Sequence, residues 1–259
     1  MKALIIAAGR GKRLRSYTHS IPKPLIPVLG IPLIERIIRS VERAGIRRIV
    51  VVTGYLGHKL KARLGNGSRL GVNIEYVDNP QWWQPNGISV LKAKPLLQTN
   101  FALLMSDHLF DHKTLSELKR HRLDREESIL CVDKSLKNIF DIHDATKVKV
   151  RKGKIEDIGK HLEQYNGIDT GMFLCSPNFF KVLERTIRRG FYSLSDAVRA
   201  LATQRKVRAY EITDRFWENG RKDCYFCCLA LRKWIPPLRP HSWCLSARRH
   251  IRSLPSPKG

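Results

Sequence analysis

The residues whose types and spacing could do chemistry begin in "AAGRGKRLRSYTHSIPKPL", residues 7–25. Gly9 and Gly11 follow an apolar run, Ala3–Ala8, and glycines at the end of a strand let backbone N–H groups approach phosphate oxygens without side chains in the way. Arg13 adds a positive charge two residues later. Two phosphate-binding fingerprints do not fit. The dinucleotide version needs a third glycine where Leu14 stands, and the P-loop needs G-x-x-x-x-G-K-[ST]. On its own a Gly-x-Gly is equally what a tight turn requires. Lys23 adds weight, because Pro22 and Pro24 restrict the backbone on either side of it. A stiff mount reduces the entropy lost when the ammonium is aimed at an anion; the plainer reading is an exposed lysine in a proline loop.

Further along, "LLMSDHLFD" puts Asp107 just after an apolar strand, where open α/β sheets place their ligands. A carboxylate there can hold Mg²⁺ against phosphate oxygens, or it can simply cap a turn. His108 and Asp111 read as structural. In "NGISVLKAK", Asn86 offers an amide able to read a base edge and Gly87 admits a flat ring, although an Asn before a helix is as readily a cap. "IGKHLEQYNGIDTGMFLCSP" supplies Lys160 after a strand and then Asp169, Thr170 and Gly171. By its own chemistry Lys160 is one solvated lysine among many. No nucleophile with an adjacent base stands out.

Elements that could position these residues alternate along the first two hundred positions. Strands are expected at Ala3–Ala8, Arg48–Thr53, Val72–Val77, Phe101–Ser106, Ser128–Val132, Lys147–Val150, Lys154–Ile158, Gly171–Cys175 and Val207–Ile212. Between the first two, "IPLIERIIRSVERAG" carries a helical stripe of Leu33, Ile34, Ile37, Ile38 and Val41, with Pro32 in its first turn and Gly45 at its end. Strands alternating with helices indicate an α/β fold with a largely parallel sheet.

At 259 residues the chain can bury one full α/β core. It holds 48 Lys and Arg against 23 Asp and Glu, a net charge of +25, so its partners are expected to be anionic. No stretch approaches the ~20 apolar residues of a membrane span, and the apolar start is shorter than a signal core, so a cytoplasmic location is expected. The six cysteines form no secreted framework and are expected to be reduced thiols. From Gly220 onward the character changes: residues 220–259 hold four of those cysteines and nine Lys and Arg against a single acid, without periodicity. The first 219 residues keep 39 basic against 22 acidic side chains, so the basic bias is not confined to the tail.

Taken together, "AAGRGKRLRSYTHSIPKPL" resembles the signature of the sugar-phosphate nucleotidyltransferases. These enzymes transfer a nucleoside monophosphate from an NTP to a phosphorylated acceptor and release pyrophosphate. The resemblance covers residues 1–219 and implies a Rossmann-like α/β fold, with a mixed, mostly parallel central sheet flanked by helices. It implies that Ala7, Ala8, Gly9, Gly11, Lys12, Asn86 and Gly87 bind the nucleotide, and that Arg13 and Lys23 are catalytic, Lys23 bridging donor and acceptor phosphates. It further implies that Lys160 steadies the acceptor's phosphate, that Asp169, Thr170 and Gly171 line the acceptor pocket, and that Asp107 carries Mg²⁺. The middle segments "NGISVLKAK", "LLMSDHLFD", "DATKVKV" and "YNGIDTGMFLCSP" are most similar to the CTP:inositol-1-phosphate cytidylyltransferases, often the soluble half of bifunctional proteins with a membrane-embedded synthase half. CTP and a phosphorylated small molecule are then the expected partners, with a membrane-bound synthase as a further one and no nucleic acid.

The chain departs from the family at one place. A second metal ligand usually follows a tryptophan in a W-x-D-x-D-T-like stretch, where this chain reads "FWENGRKD" and Asn219 stands for the first aspartate. An amide oxygen can ligate Mg²⁺ but brings no charge. Residues 220–259 read as out-of-frame coding, as a zinc knuckle of Cys224, Cys227, His241 and Cys244, or as a basic tail for anionic lipid or nucleic acid. The leading expectation is CMP transfer from CTP to inositol 1-phosphate. The alternatives are transfer to another phosphorylated alcohol or sugar, such as phosphocholine, mannose 1-phosphate or glucose 1-phosphate, and a catalytically impaired nucleotide-binding protein.

Overall fold

The computed structural model describes residues 1–11, 18–136 and 142–212. Lys12, Arg13, Asn219 and the four cysteine and histidine positions of the tail lie outside the described residues. Strand β1 (Lys2–Ala7) is followed by a two-stranded ribbon, β2 (Pro27–Val28) with β3 (Ile31–Pro32), and by α1 (Leu33–Arg43). The chain continues through β4 (Arg48–Thr53), α2 (Gly57–Leu64), β5 (Asn73–Asp78), α3 (Asn86–Lys92), β6 (Phe101–Met105) and α4 (His112–Leu118). It ends in β7 (Ser128–Asp133), β8 (Lys147–Arg151), β9 (Lys154–Gly159), β10 (Gly167–Cys175), α5 (Asn178–Arg188), α6 (Leu194–Ala202) and β11 (Val207–Ile212). Each strand expected from the sequence is present, with β10 starting four residues earlier than its apolar run suggested.

Nine strands form one sheet in the order β5-β4-β1-β6-β10-β7-β11-β9-β8. The pairs β5–β4, β4–β1, β1–β6 and β7–β11 are parallel, whereas β10 runs antiparallel to both β6 and β7. Strand β9 is likewise antiparallel to its neighbours β11 and β8, so the sheet is mixed because β10 and β9 both run the other way. From β1 the chain steps outward on one side to β4 and β5, then returns to lay β6 on the other side of β1. Strand order therefore reverses between β1 and β6, and a crevice opens beyond their carboxyl ends, the position open α/β sheets use for ligands.

Alternating residues of the central strands feed two cores. Leu4, Ile6, Val50, Val52, Phe101 and Leu103 face α3, α5 and α6, with the Phe101 and Phe180 rings stacked at 5.2 Å. Ala3, Ile5, Ile49, Val51, Ala102 and Leu104 face α1, α2 and α4, where the predicted stripe of Leu33, Ile34, Ile37, Ile38 and Val41 is wholly buried. Covering both faces explains why these strands read as continuous apolar runs rather than as alternating ones. It also leaves only the strand ends free for chemistry.

Candidate active site

Lys23 sits in a single 3-10 turn, Lys23–Leu25, with the buried Pro24 at its centre. Pro22 is extended (φ −63°, ψ 142°), and the Leu25 N–H donates to the Pro22 carbonyl at 2.8 Å. The stem of Lys23 lies against Gly11, which has φ +69°. A Cβ at Gly11 would stand 3.1 Å from both Cβ and Cδ of Lys23. Glycine is required there twice over, for the left-handed backbone and for the close approach of the lysine. Gly9 differs: nothing lies within 4 Å of where its Cβ would be.

Asp107 follows the end of β6, and the preceding Ser106 N–H donates to the Ile6 carbonyl of β1 at 3.2 Å. Lys23 Nζ donates to Asp107 Oδ2 at 2.6 Å, and His108 Nδ1 lies 2.8 Å from Asp107 Oδ1. Burial pushes the Asp107 carboxyl up, but His108 and Lys23 outweigh it and hold the group well below the usual carboxylate range. Burial lowers His108, and Asp107 and Asp169 together more than reverse this, so its pKa is raised. Sequence reasoning set His108 aside as structural; in the structure it is a direct partner of Asp107. Its position next to Asp107 was the one available signal. Asp111 does prove structural, capping α4 by accepting from the Lys113 N–H at 2.9 Å.

The reversed strand β10 supplies the opposite wall. Its register against β7 shifts between Asp169 and Phe173, a bulge with Gly171 at φ +73° inside it. A Cβ at Gly171 would fall 2.9 Å from Met105 Cγ and 3.2 Å from His108 Nδ1, so the bulge closes tightly on the end of β6. Within the bulge the Gly171 N–H donates to Asp169 Oδ1 at 2.7 Å. Burial pushes the Asp169 carboxyl up to about 6, against the opposing influence of that N–H and of His108. Gly11, Lys23, Asp107, His108, Asp169 and Gly171 thus form one connected set across β1, β6 and β10.

Other expected residues are placed less directly. Ala7 and Ala8 are buried, and the Ala8 carbonyl accepts from the Tyr55 N–H at 2.9 Å, so only their backbone can face a ligand. Lys160 Nζ pairs with Asp144 Oδ1 at 2.8 Å. It lies where β9 ends beside the start of β8, which in turn pairs with the start of β10. Thr170 is turned away. Its hydroxyl donates to the Cys131 carbonyl at 2.8 Å in a buried position, so the side chain ties β10 to β7 and its proton is already committed. Asn86 and Gly87 open α3, but Asn86 Oδ1 accepts from the Leu194 N–H at 2.9 Å. A Cβ at Gly87 would meet the Tyr192 carbonyl oxygen at 2.4 Å. Their types are explained by packing α3 against the start of α6, which takes the amide oxygen out of base reading.

Among the described residues no three His, Cys, Asp or Glu side chains converge to hold a metal on protein ligands alone. A Mg²⁺-type site needs less, since that ion keeps several waters and takes one or two carboxylates together with substrate phosphates. An Asp107 held ionised at the mouth of the crevice fits that donor set.

A family model described as nucleotidyl transferase matches residues 2–219. The chain belongs to this family. A bifunctional IPC transferase and DIPP synthase of Aquifex aeolicus is 32% identical over 216 residues, covering 83% of this chain and 47% of that protein. The chain thus spans about half the length of such relatives. An N-acetylmuramate alpha-1-phosphate uridylyltransferase of Neisseria meningitidis is 38% identical over 128 residues, 47% of this chain and 55% of the relative. A solved inositol-1-phosphate CTP transferase from T. maritima superposes with a TM-score of 0.71 at 26% identity, covering 91% of this chain and 97% of that one. Nucleotidyl transferases of this family generally use a divalent metal, and nucleotide and sugar-phosphate-like substrates are consistent with it. No helix among the described residues is long and apolar enough to cross a membrane.

Proposed function

We propose that this chain transfers CMP from CTP to inositol 1-phosphate with release of pyrophosphate, and that Mg²⁺ is its metal. The observation that carries the reading is the 2.6 Å contact of Lys23 with Asp107 against Gly11, at the point where strand order reverses. It sets a cation, a phosphate-loop glycine and an ionised carboxylate around one crevice. The names of the Aquifex relative and of the T. maritima structure support CTP and inositol phosphate as substrates.

In the proposed reaction an oxygen of the acceptor's phosphate attacks the α-phosphorus of CTP, and the bond from that phosphorus to the bridging oxygen of pyrophosphate breaks. The attacking group is already an anion near neutral pH, so no general base is needed. Mutual repulsion of phosphates is the obstacle, and cations held in place lower it. Lys23 on its 3-10 turn is positioned to reach both phosphates, and the N–H groups around Gly9 and Gly11 to receive the departing charge. Asp107 would hold the Mg²⁺, whose chemistry there is to neutralise phosphate oxygens. Asp169 and Lys160 would serve the acceptor in this reading. Arg13 and Asn219 remain part of the reading as a second catalytic cation and an uncharged metal ligand. The CDP-inositol product would pass to a DIPP synthase, the second activity named in the relatives.

The Neisseria relative, alike over 47% of the chain, motivates a second reading in which UTP and a sugar 1-phosphate are used. Purified protein with Mg²⁺, each NTP in turn and a panel of phosphorylated acceptors decides between them by pyrophosphate release. Release with CTP and inositol 1-phosphate supports the proposal, release with UTP and a sugar 1-phosphate supports the second reading, and nucleotide binding without release refutes both.

A further inference from the structure

Tyr55 is drawn into the phosphate loop from three directions. Its backbone N–H donates to the Ala8 carbonyl at 2.9 Å, where the loop begins. Its ring lies under the guanidinium of Arg10, 5.2 Å from ring centre to Cζ. Its hydroxyl donates to the His19 carbonyl at 3.1 Å, beyond the loop and just ahead of Lys23. Lys59 Nζ adds a second tie one residue further on, donating to the Ser20 carbonyl at 2.7 Å.

The mount is built closely. A Cβ at Gly54 would stand 2.8 Å from the Ala8 carbonyl oxygen and 2.5 Å from Trp82 Cβ, so the Gly54–Tyr55 turn is pressed onto the end of β1. Leu56 takes a left-handed conformation (φ 52°, ψ 32°), uncommon for a non-glycine residue, to start α2 directly behind Tyr55. The Trp82 ring backs Tyr55 at 5.1 Å and 58°. Arg10, by contrast, has no ion pair among the described residues, and its guanidinium rests on the Tyr55 ring. A guanidinium fixed on an aromatic face keeps its donors available to an anion while losing little freedom when one arrives.

We infer that Arg10 is a further phosphate-binding cation of this loop and that Tyr55 is the positioning residue that mounts it, through the ring beneath Arg10 and the hydroxyl latch on His19. This rests on the reading that residues 9–11 face the triphosphate. It assigns work to a residue that neither the glycine pattern nor the Lys23–Asp107 pair required.

The test is a double-mutant cycle on the full chain with Arg10→Gln, Tyr55→Leu and the double variant, Tyr55→Phe serving as the conservative control. Two readouts are taken: the CTP dependence of turnover, and the Kd of inorganic pyrophosphate with Mg²⁺, which requires no turnover. Arg10→Gln is expected to weaken pyrophosphate binding and raise the KM for CTP by roughly tenfold or more, the scale of a hydrogen bond to a charged group, with kcat within about threefold. Tyr55→Leu should do the same, the double variant should be little worse than either, and Tyr55→Phe, which keeps the ring, should lose less than Tyr55→Leu. Multiplying effects in the double variant, or no effect of Arg10→Gln, would overturn the inference. Should Tyr55→Leu not fold, the comparison of Arg10→Gln with Tyr55→Phe and their double carries the same cycle for the hydroxyl latch. A coupled pyrophosphate cycle in a protein that turns over no NTP would sink the proposed reaction and leave this inference standing; turnover without coupling would do the reverse.

Discussion

Gly11→Ala and Gly9→Ala differ by two positions in one loop, and the structure gives them opposite consequences. At Gly11 the backbone has φ +69°, so an alanine costs about 1–2 kcal/mol for the left-handed conformation alone. Its Cβ would also stand 3.1 Å from Cβ and Cδ of Lys23, about 0.5 Å inside an ordinary carbon contact. The Lys23 stem cannot retreat freely, because Pro22 and Pro24 hold its backbone and its ammonium is bound to Asp107. For a protein of this size 1–2 kcal/mol lowers Tm by about 2–8 °C. A displaced ammonium should also lower kcat by roughly tenfold, since misplacement on the scale of 1 Å can cost about a hundredfold. At Gly9 the backbone is not left-handed and the added methyl meets open space. Gly9→Ala should therefore leave stability unchanged or up to about 1 kcal/mol higher, while weakening nucleotide binding where the methyl enters the ligand's space. Thermal unfolding and steady-state kinetics of the two variants, side by side, check this. Equal stability losses at both positions, or a Gly11→Ala enzyme with unchanged Tm and kcat, would refute the reasoning.

Three further outcomes are expected. Lys23→Met should leave the fold intact and reduce turnover by about 10²–10³, by comparison with removal of one preorganised donor; circular dichroism with turnover assays checks both halves, and near-normal turnover would remove Lys23 from the chemistry. Asp169 has a folded pKa of about 6 against an ordinary 3.8, so the folded state binds its proton more tightly and the associated stability is full below pH 3.8 and lost as pH rises through 6. Asp169→Asn should therefore match wild type near pH 4 and exceed it by up to about 3 kcal/mol near pH 7, and urea denaturation across that range showing a constant difference would refute the assignment. Thr170→Val should cost about 1–3 kcal/mol through the unpaired Cys131 carbonyl and leave the KM for the acceptor unchanged; a KM effect in the folded variant would return Thr170 to the acceptor wall.

In the candidate site, features that depend on local backbone were legible in the sequence, and those that depend on which way a side chain turns were not. Gly11, Lys23 and Asp107 were legible because a glycine after an apolar strand, a lysine between prolines and a carboxylate at a strand end each carry a local signature. Their meeting follows from β6 lying next to β1, an adjacency that the strand order of the sheet supplies and that alternation of strands and helices alone does not specify. The side-chain partners of Thr170 and His108 were not legible, for a common reason. The side-chain direction along β10 is set by the bulge at Gly171, and that bulge also brings β10 against His108. A glycine inside an apolar strand signals a bulge without saying which neighbour it turns inward. Asn86 was ambiguous between capping and base reading, and only its bond to Leu194, 108 residues away, assigns its oxygen.

The same distinction explains why β10 was expected to be short. "GIDT" is polar at its third and fourth positions and carries no alternation that marks a strand, yet Gly167 and Ile168 pair with β8 and Ile168 and Asp169 with β7. These residues become strand because β7 and β8 have open edges there, not because their own types favour it. The reversed strand β10 thus owes its extra length to the end that borders the crevice, and its least strand-like residues bring Asp169 to the candidate site. A regular, wholly apolar β10 would have built a better strand and left one wall of the crevice without a carboxylate.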